Sequence, residues 1–255
     1  MTDLRPGQYS DPCSDPGSDL GSVPRAPAWA VPARAGTPEE AAFLSGAALA
    51  HLHLVLGHAA VPGALLRDRL AMRAAEACVA FSGRPERTAE LRDAGHLLRP
   101  GDLPGPAGET CVAWRRAVDR PMSVAALGRA LAGALPGLSP GEIATWLDAG
   151  QGAPVALAAR VLETVLDDAP RAGPLEAETL ALVLADAALA AALGWDHVVP
   201  LLAAGLKRAD LRKRGAAARL ACHHALAASV AEAARQAADL ARRAAHLGAV
   251  APKLC

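Results

Sequence analysis

From residue 37 onward, apolar residues return every third or fourth position, the spacing of one face of an α-helix. Phe43, Leu44, Ala47, Ala48, His51, Leu52 and Val55 trace the first such face, between Thr37-Pro38-Glu39-Glu40 and a stop at Gly57. Thr37 as N-cap, Pro38 at the first helical position and Glu40 at the third form a capping box. Its acids sit at the positive end of the helix dipole. A second helix is predicted over 62–82, with Leu66, Leu70, Ala74, Ala77, Cys78 and Phe81 inward, and a third over 85–98. The Pro-Gly loop 99–106 breaks the pattern, because each proline removes a donor and fixes φ. Helices resume over 106–118, 123–135, 139–146, 154–168, 175–193 and 200–206, and the Ser139-Pro140-Gly141-Glu142 start is a second capping box. The last and longest is predicted over 215–247. There Leu226, Val230, Ala233, Ala237, Leu240, Ala244 and Leu247 keep the 4-3 spacing of a coiled-coil seam. About nine helices and no strand define an all-α fold.

Composition agrees. Of 255 residues, 64 are Ala and 37 are Leu, while Ile occurs once and aromatics make up 3%. Sheets want β-branched and aromatic side chains, whereas Ala and Leu are the residues most easily placed in a helix. Residues 1–36 differ, being dense in Pro, Gly, Ser and Asp with no periodic apolar positions. They are read as a disordered leader, with a single Ala/Leu-rich helical domain over 37–255. Five cysteines with no metal-like spacing and no secretory leader read as reduced thiols, and the chain as cytoplasmic. The most apolar run, 180–193, is interrupted by Asp186 and too short to span a bilayer.

Formal net charge is zero, with 26 basic and 26 acidic side chains. From Lys207 onward, however, 10 basic residues face 3 acidic ones. Lys207, Arg208, Arg212, Lys213, Arg214 and Arg219 form a basic stretch, a candidate nucleic-acid contact. No aromatic residue is interleaved, so stacking on single strands has no support, and an exposed loop pairing with the acidic remainder is preferred. Glu90, Asp93 and His96 share a helix face, and with Glu109 they make a candidate metal-assisted centre. A second carboxylate-x-x-His pair is missing, and a solvated face with local Arg pairing is preferred. His51 and His58 share a face, but His53 points away and no Cys or acid stands at a matching offset, while the Cys222-His223-His224 run diverges too far around its helix to chelate one ion. Neither a phosphate-binding glycine loop nor a nucleophile elbow occurs, and no cofactor is expected.

Several segments carry a resemblance. They are Gly83-Arg84, Leu91-Arg92-Asp93-Ala94, Pro100-Gly101-Asp102, Pro104-Gly105-Pro106-Ala107-Gly108 and Trp114-Arg115. Arg69-Leu70-Ala71, Leu184-Ala185-Asp186, Gly194-Trp195, Pro200-Leu201-Leu202 and Ala251-Pro252-Lys253-Leu254 extend it. Together they resemble an uncharacterised bacterial family, domain of unknown function 1403. The resemblance implies no reaction. Its members continue past the Pro-Lys-Leu motif, which in this sequence lies just before Cys255. The reading reached is a non-catalytic interaction or regulatory protein. Its candidate surface is Arg92, Asp93, His96, Asp102, Trp114 and Arg115, and its partner is a protein or a second copy held through the C-terminal helix.

Overall fold

The computed structural model describes residues 23–30, 35–84, 86–96, 104–133, 137–148, 152–169 and 173–250, with the backbone alone at 94–96 and 174. Ten α-helices and no strand occur among them: α1 (Pro38–Leu56), α2 (Gly63–Phe81), α3 (Thr88–His96), α4 (Gly105–Asp119), α5 (Val124–Leu131), α6 (Pro140–Leu147), α7 (Pro154–Asp168), α8 (Pro174–Ala192), α9 (Leu202–Gly205) and α10 (Gly215–Val250). The all-α expectation holds. Both capping boxes form, with Glu40 N–H donating to Thr37 Oγ1 at 3.2 Å and Glu142 N–H to Ser139 Oγ at 3.2 Å. No helix among the described residues is long and apolar enough to cross a membrane.

Helix α8 is the centre. From Leu180 to Ala190 every residue is buried, so the helix is apolar all round and is covered on all sides, by α7, α2, α9, α4 and α6. Asp186 is the single acid in that run and is fully buried. An unpartnered carboxylate there would be costly. It accepts from the backbone N–H groups of Leu201 at 3.2 Å, Leu202 at 2.9 Å and Ala203 at 3.4 Å. These are the donors at the start of α9, which has no cap of its own. Gly205 ends α9 against α10, so close that a Cβ there would lie 2.5 Å from the carbonyl oxygen of Ala225.

Three pairings build the rest: α7 on α8, α2 on α4, and α1 on α10. The α10 seam is used within the chain. Leu226, Val230, Ala233, Ala237 and Leu240 are all buried in the core, and only Ala244 and Leu247 beyond them are exposed. Self-association through that seam, as expected from sequence, therefore has no face left over most of its length. The spacing was a true apolar stripe, but α1, α9 and α7 pack on α10 within the same chain.

Residues 1–22 and 31–34 of the expected leader lie outside the described residues. Residues 23–30 do carry structure: a 3₁₀ turn at Ala28–Ala30 lies against α1, with Ala30 buried. Trp29 and Phe43 rings are 5.8 Å apart, and His51 Nε2 donates to the Pro24 carbonyl at 2.9 Å. The expectation of no regular structure over 1–36 is corrected for this stretch. The stretch folds back because Ala30 has apolar surface to meet.

Candidate functional site

Arg92 and Arg115, two of the residues singled out from sequence, line one groove of about 510 Å³ between α2, α3, α4 and α10. Helix α2 supplies Leu65, Asp68, Arg69, Met72 and Arg73, whose 3-4 spacing sets them on one stripe. Thr88 and Arg92 come from α3, Arg115 from α4, and Arg235, Gln236 and Asp239 from α10. Five arginines thus line it together with two carboxylates, Asp68 and Asp239, and the apolar side chains of Leu65 and Met72.

Ion pairs hold these guanidiniums in place. Arg115 Nε donates to Asp68 Oδ1 at 2.8 Å, and Arg69 lies 3.8 Å from Asp239. Arg235 makes a two-pronged contact with Glu232, at 2.8 and 2.6 Å, while Arg73 approaches the same carboxylate at 3.1 Å. Burial would raise Glu232, but the hydrogen bonds from Arg235 and Gln236 and the charge of Arg73 outweigh it and hold the group below its ordinary range. Gln236 donates its Nε2 to Glu232 at 2.8 Å, and its buried Oε1 has no partner. That oxygen is an acceptor awaiting a donor.

The other expected surface residues part company with the groove. Trp114 is wholly buried, its Nε1 donating to the Cys78 sulfur at 3.4 Å, so it belongs to the core and not to a surface. Burial pushes the Cys78 thiol up to about 12, which removes it as a nucleophile. Asp93 is exposed and pairs with Arg92 at 3.2 Å. Arg115 pairs with Asp68 on α2. Asp102 and the His96 side chain lie outside the described residues. Within the candidate metal set, Glu90 accepts the Arg87 N–H at 2.8 Å and thereby closes the start of α3, while Glu109 is on α4. No three His, Cys, Asp or Glu side chains gather in metal-binding geometry among the described residues.

The basic stretch is laced with acids. Arg214 reaches Asp167 at 2.6 Å, Lys213 reaches Asp210 at 2.8 Å, and Arg208 approaches Glu178 at 3.9 Å. Burial raises Glu178 against the pull of Arg208 and Arg212. Arg212 and Arg219 are exposed, and Lys207 offers its backbone N–H to Asp210 at 2.9 Å.

One pair went unseen in the sequence. Ser45 Oγ and His223 Nδ1 are 2.7 Å apart beside a second, apolar groove of about 650 Å³. A hydroxyl on an imidazole suggests a nucleophile and its base. Here Ser45 is fully buried in mid-helix, its Oγ also meets the Ala42 carbonyl at 3.0 Å, and the neighbouring N–H groups belong to the helix ladder. Nothing is aimed at a developing oxyanion. The contact ties α1 to α10.

The geometry supplies an arginine-rich groove, and comparison with known proteins adds a family. The family model described as Protein of unknown function (DUF1403) matches residues 14–255, nearly the whole chain. The chain belongs to the DUF1403 family. No curated protein matches it, and no solved structure does. Segments quoted for the resemblance meet in space in this DUF1403 fold: Arg69, Arg92 and Arg115 at the groove, and Asp186 with Leu201 and Leu202 in the core.

Proposed function

We propose that this is a non-catalytic interaction protein whose working surface is the arginine-lined groove, and that it takes an acidic, partly apolar segment of a protein partner. The convergence of Arg69, Arg73, Arg92, Arg115 and Arg235 from four helices carries the reading. Guanidinium groups held by carboxylates lose little freedom on meeting another carboxylate. Leu65 and Met72 suit an aliphatic side chain. No aromatic residue is among the described residues that line the groove, which gives a nucleobase no stacking partner there.

A fluorescein-labelled Glu-rich peptide with a leucine at every fourth position should bind with a Kd of roughly 10–100 µM at low salt. Binding should weaken as salt screens the exposed charges. The Arg92→Glu/Arg115→Glu variant should lose it while melting within a few degrees of the parent, because both ion pairs are half-exposed. Equal binding by parent and variant, or none by the parent, sinks the assignment.

The basic stretch carries the opposite expectation. With Arg208, Lys213 and Arg214 beside carboxylates, micromolar protein should show no duplex DNA binding at about 100 mM salt. A submicromolar complex whose affinity falls steeply with salt would promote nucleic acid to the partner.

A further inference from the structure

The chain has seven aromatic residues, four Trp, one Tyr and two Phe. Two of the seven, Trp29 and Phe43, sit together on the surface, 64% and 61% exposed. In a core built from alanine and leucine, large rings left in water mark a contact surface. They stand at one end of α1. Leu54, 62% exposed, stands at the other. Between them Gly46 and Ala50 present almost no side chain, and the apolar groove of about 650 Å³ runs alongside, with Ala153, Pro154 and Leu193 as its far wall. Among the described residues α1 packs chiefly on α10, which leaves most of this outer face exposed.

We propose that the face binds a second copy of itself, with the two α1 helices antiparallel about a two-fold axis. The spacing is self-complementary. Setting Phe43 of one copy against Leu54 of the other brings the small residues Gly46, Ala47 and Ala50 of both copies to the crossing point, where backbones approach most closely. Each Phe43 then enters the hole formed by Ala50, His53, Leu54 and Gly57 of the second copy, which opens onto the apolar groove. The same register sets Glu39 opposite His58. Glu39 is exposed, and His58 Nδ1 accepts the Ala60 N–H at 3.3 Å, which leaves Nε2–H to donate to that carboxylate. Antiparallel dipoles add to the pairing. A parallel register would put Glu39 against Glu39. The leader is a poor occupant, since residues 1–22 hold only Met1, Leu4, Tyr9 and Leu20 as bulky apolar side chains, among four acids.

Sedimentation of the full chain over roughly 1–100 µM, the range of weak specific association, should show a monomer–dimer equilibrium. Phe43→Glu should weaken it by about tenfold or more, the loss typical of an anchoring aromatic. Its exposed position leaves folding intact, checked by an unchanged circular dichroism melt. Register is read by trapping in a background with Cys13 and Cys255 replaced by serine. Phe43→Cys/Leu54→Cys should oxidise to a covalent dimer, whereas Phe43→Cys alone should not, because equivalent residues lie about 16 Å apart along the helices. A monomer throughout, a dimer indifferent to Phe43→Glu, or efficient cross-linking by Phe43→Cys alone overturns the proposal.

Discussion

Asp186→Ala should lower the free energy of unfolding by about 2–4 kcal/mol, because it removes the acceptor from three backbone donors at once. Leu201, Leu202 and Ala203 are buried, so no water replaces the carboxylate. Relief from confining a charge returns part of the loss. Burial raises the Asp186 carboxyl to about 7, against the opposing pull of the three N–H groups. Between about pH 4, where a free aspartate ionises, and pH 7, the folded chain keeps a proton that the unfolded chain has released. The contribution of Asp186 is therefore present below pH 4 and is lost as pH rises through 7, by up to about 4 kcal/mol. His197 and His223 act in the opposite sense: burial, helped by Arg67 and Arg219 respectively, holds both imidazoles below their ordinary range, so acid destabilises through them. Asp186→Asn separates the two effects. It keeps one oxygen before the donors and cannot ionise, so its stability relative to the parent should improve steadily from pH 4 to 7 in urea unfolding. A constant difference across that window would show that Asp186 does not titrate there. An alanine variant as stable as the parent would show that the cap is dispensable.

Gly205→Ala should cost about 3 kcal/mol, large for the addition of one methyl group. The new Cβ would stand 2.5 Å from the Ala225 oxygen and 2.9 Å from its carbonyl carbon, both backbone atoms in the middle of α10. No rotamer change relieves that contact, so α9 must move off α10. Helix α9 is also held by Asp186, so the displacement strains the cap, and the double variant with Asp186→Ala should lose less than the two single losses added. In a chain of this length the single change should lower Tm by roughly 6–12 °C. Gly248→Ala, with nothing within 4 Å of its Cβ, is the control and should be neutral or slightly stabilising. A Gly205→Ala protein that melts with the control would show that the two backbones part without cost.

What the sequence disclosed was what local chemistry decides. The Thr37 and Ser139 boxes, the prolines that open α6 and α7, and the alanine-leucine periodicity act within a turn or two. The helices accordingly fall within a few residues of their expected places. The fate of each apolar stripe is not local. Nothing in the α10 spacing says whether its cover comes from α1 or from another molecule, and the choice went to α1. The groove was half legible: Arg92 and Arg115 were picked out, but Arg69, Arg73 and Arg235 join them only through packing across more than 160 residues of chain. Trp114 misled because a tryptophan beside an arginine looks like a contact surface, when only the arginine reaches the groove. Asp186 offered a usable signal. A lone carboxylate in a run otherwise apolar all round has to be met by donors from elsewhere, and Pro200-Leu201-Leu202 supplies them.

The pairing of α1 with α10 also sets the order in which the chain can finish itself on the ribosome. Ala48, Leu49, Leu52 and Val55 emerge early, and the helix that covers them is made last. At typical elongation rates of 5–20 residues per second, that interval is roughly 10–35 s. Over that time α1 carries bare aliphatic surface while α2 to α9 assemble beside it. Nascent chains halted before α10 should therefore be held by chaperones that grip exposed apolar helices, and should let go once residue 240 has cleared the exit tunnel.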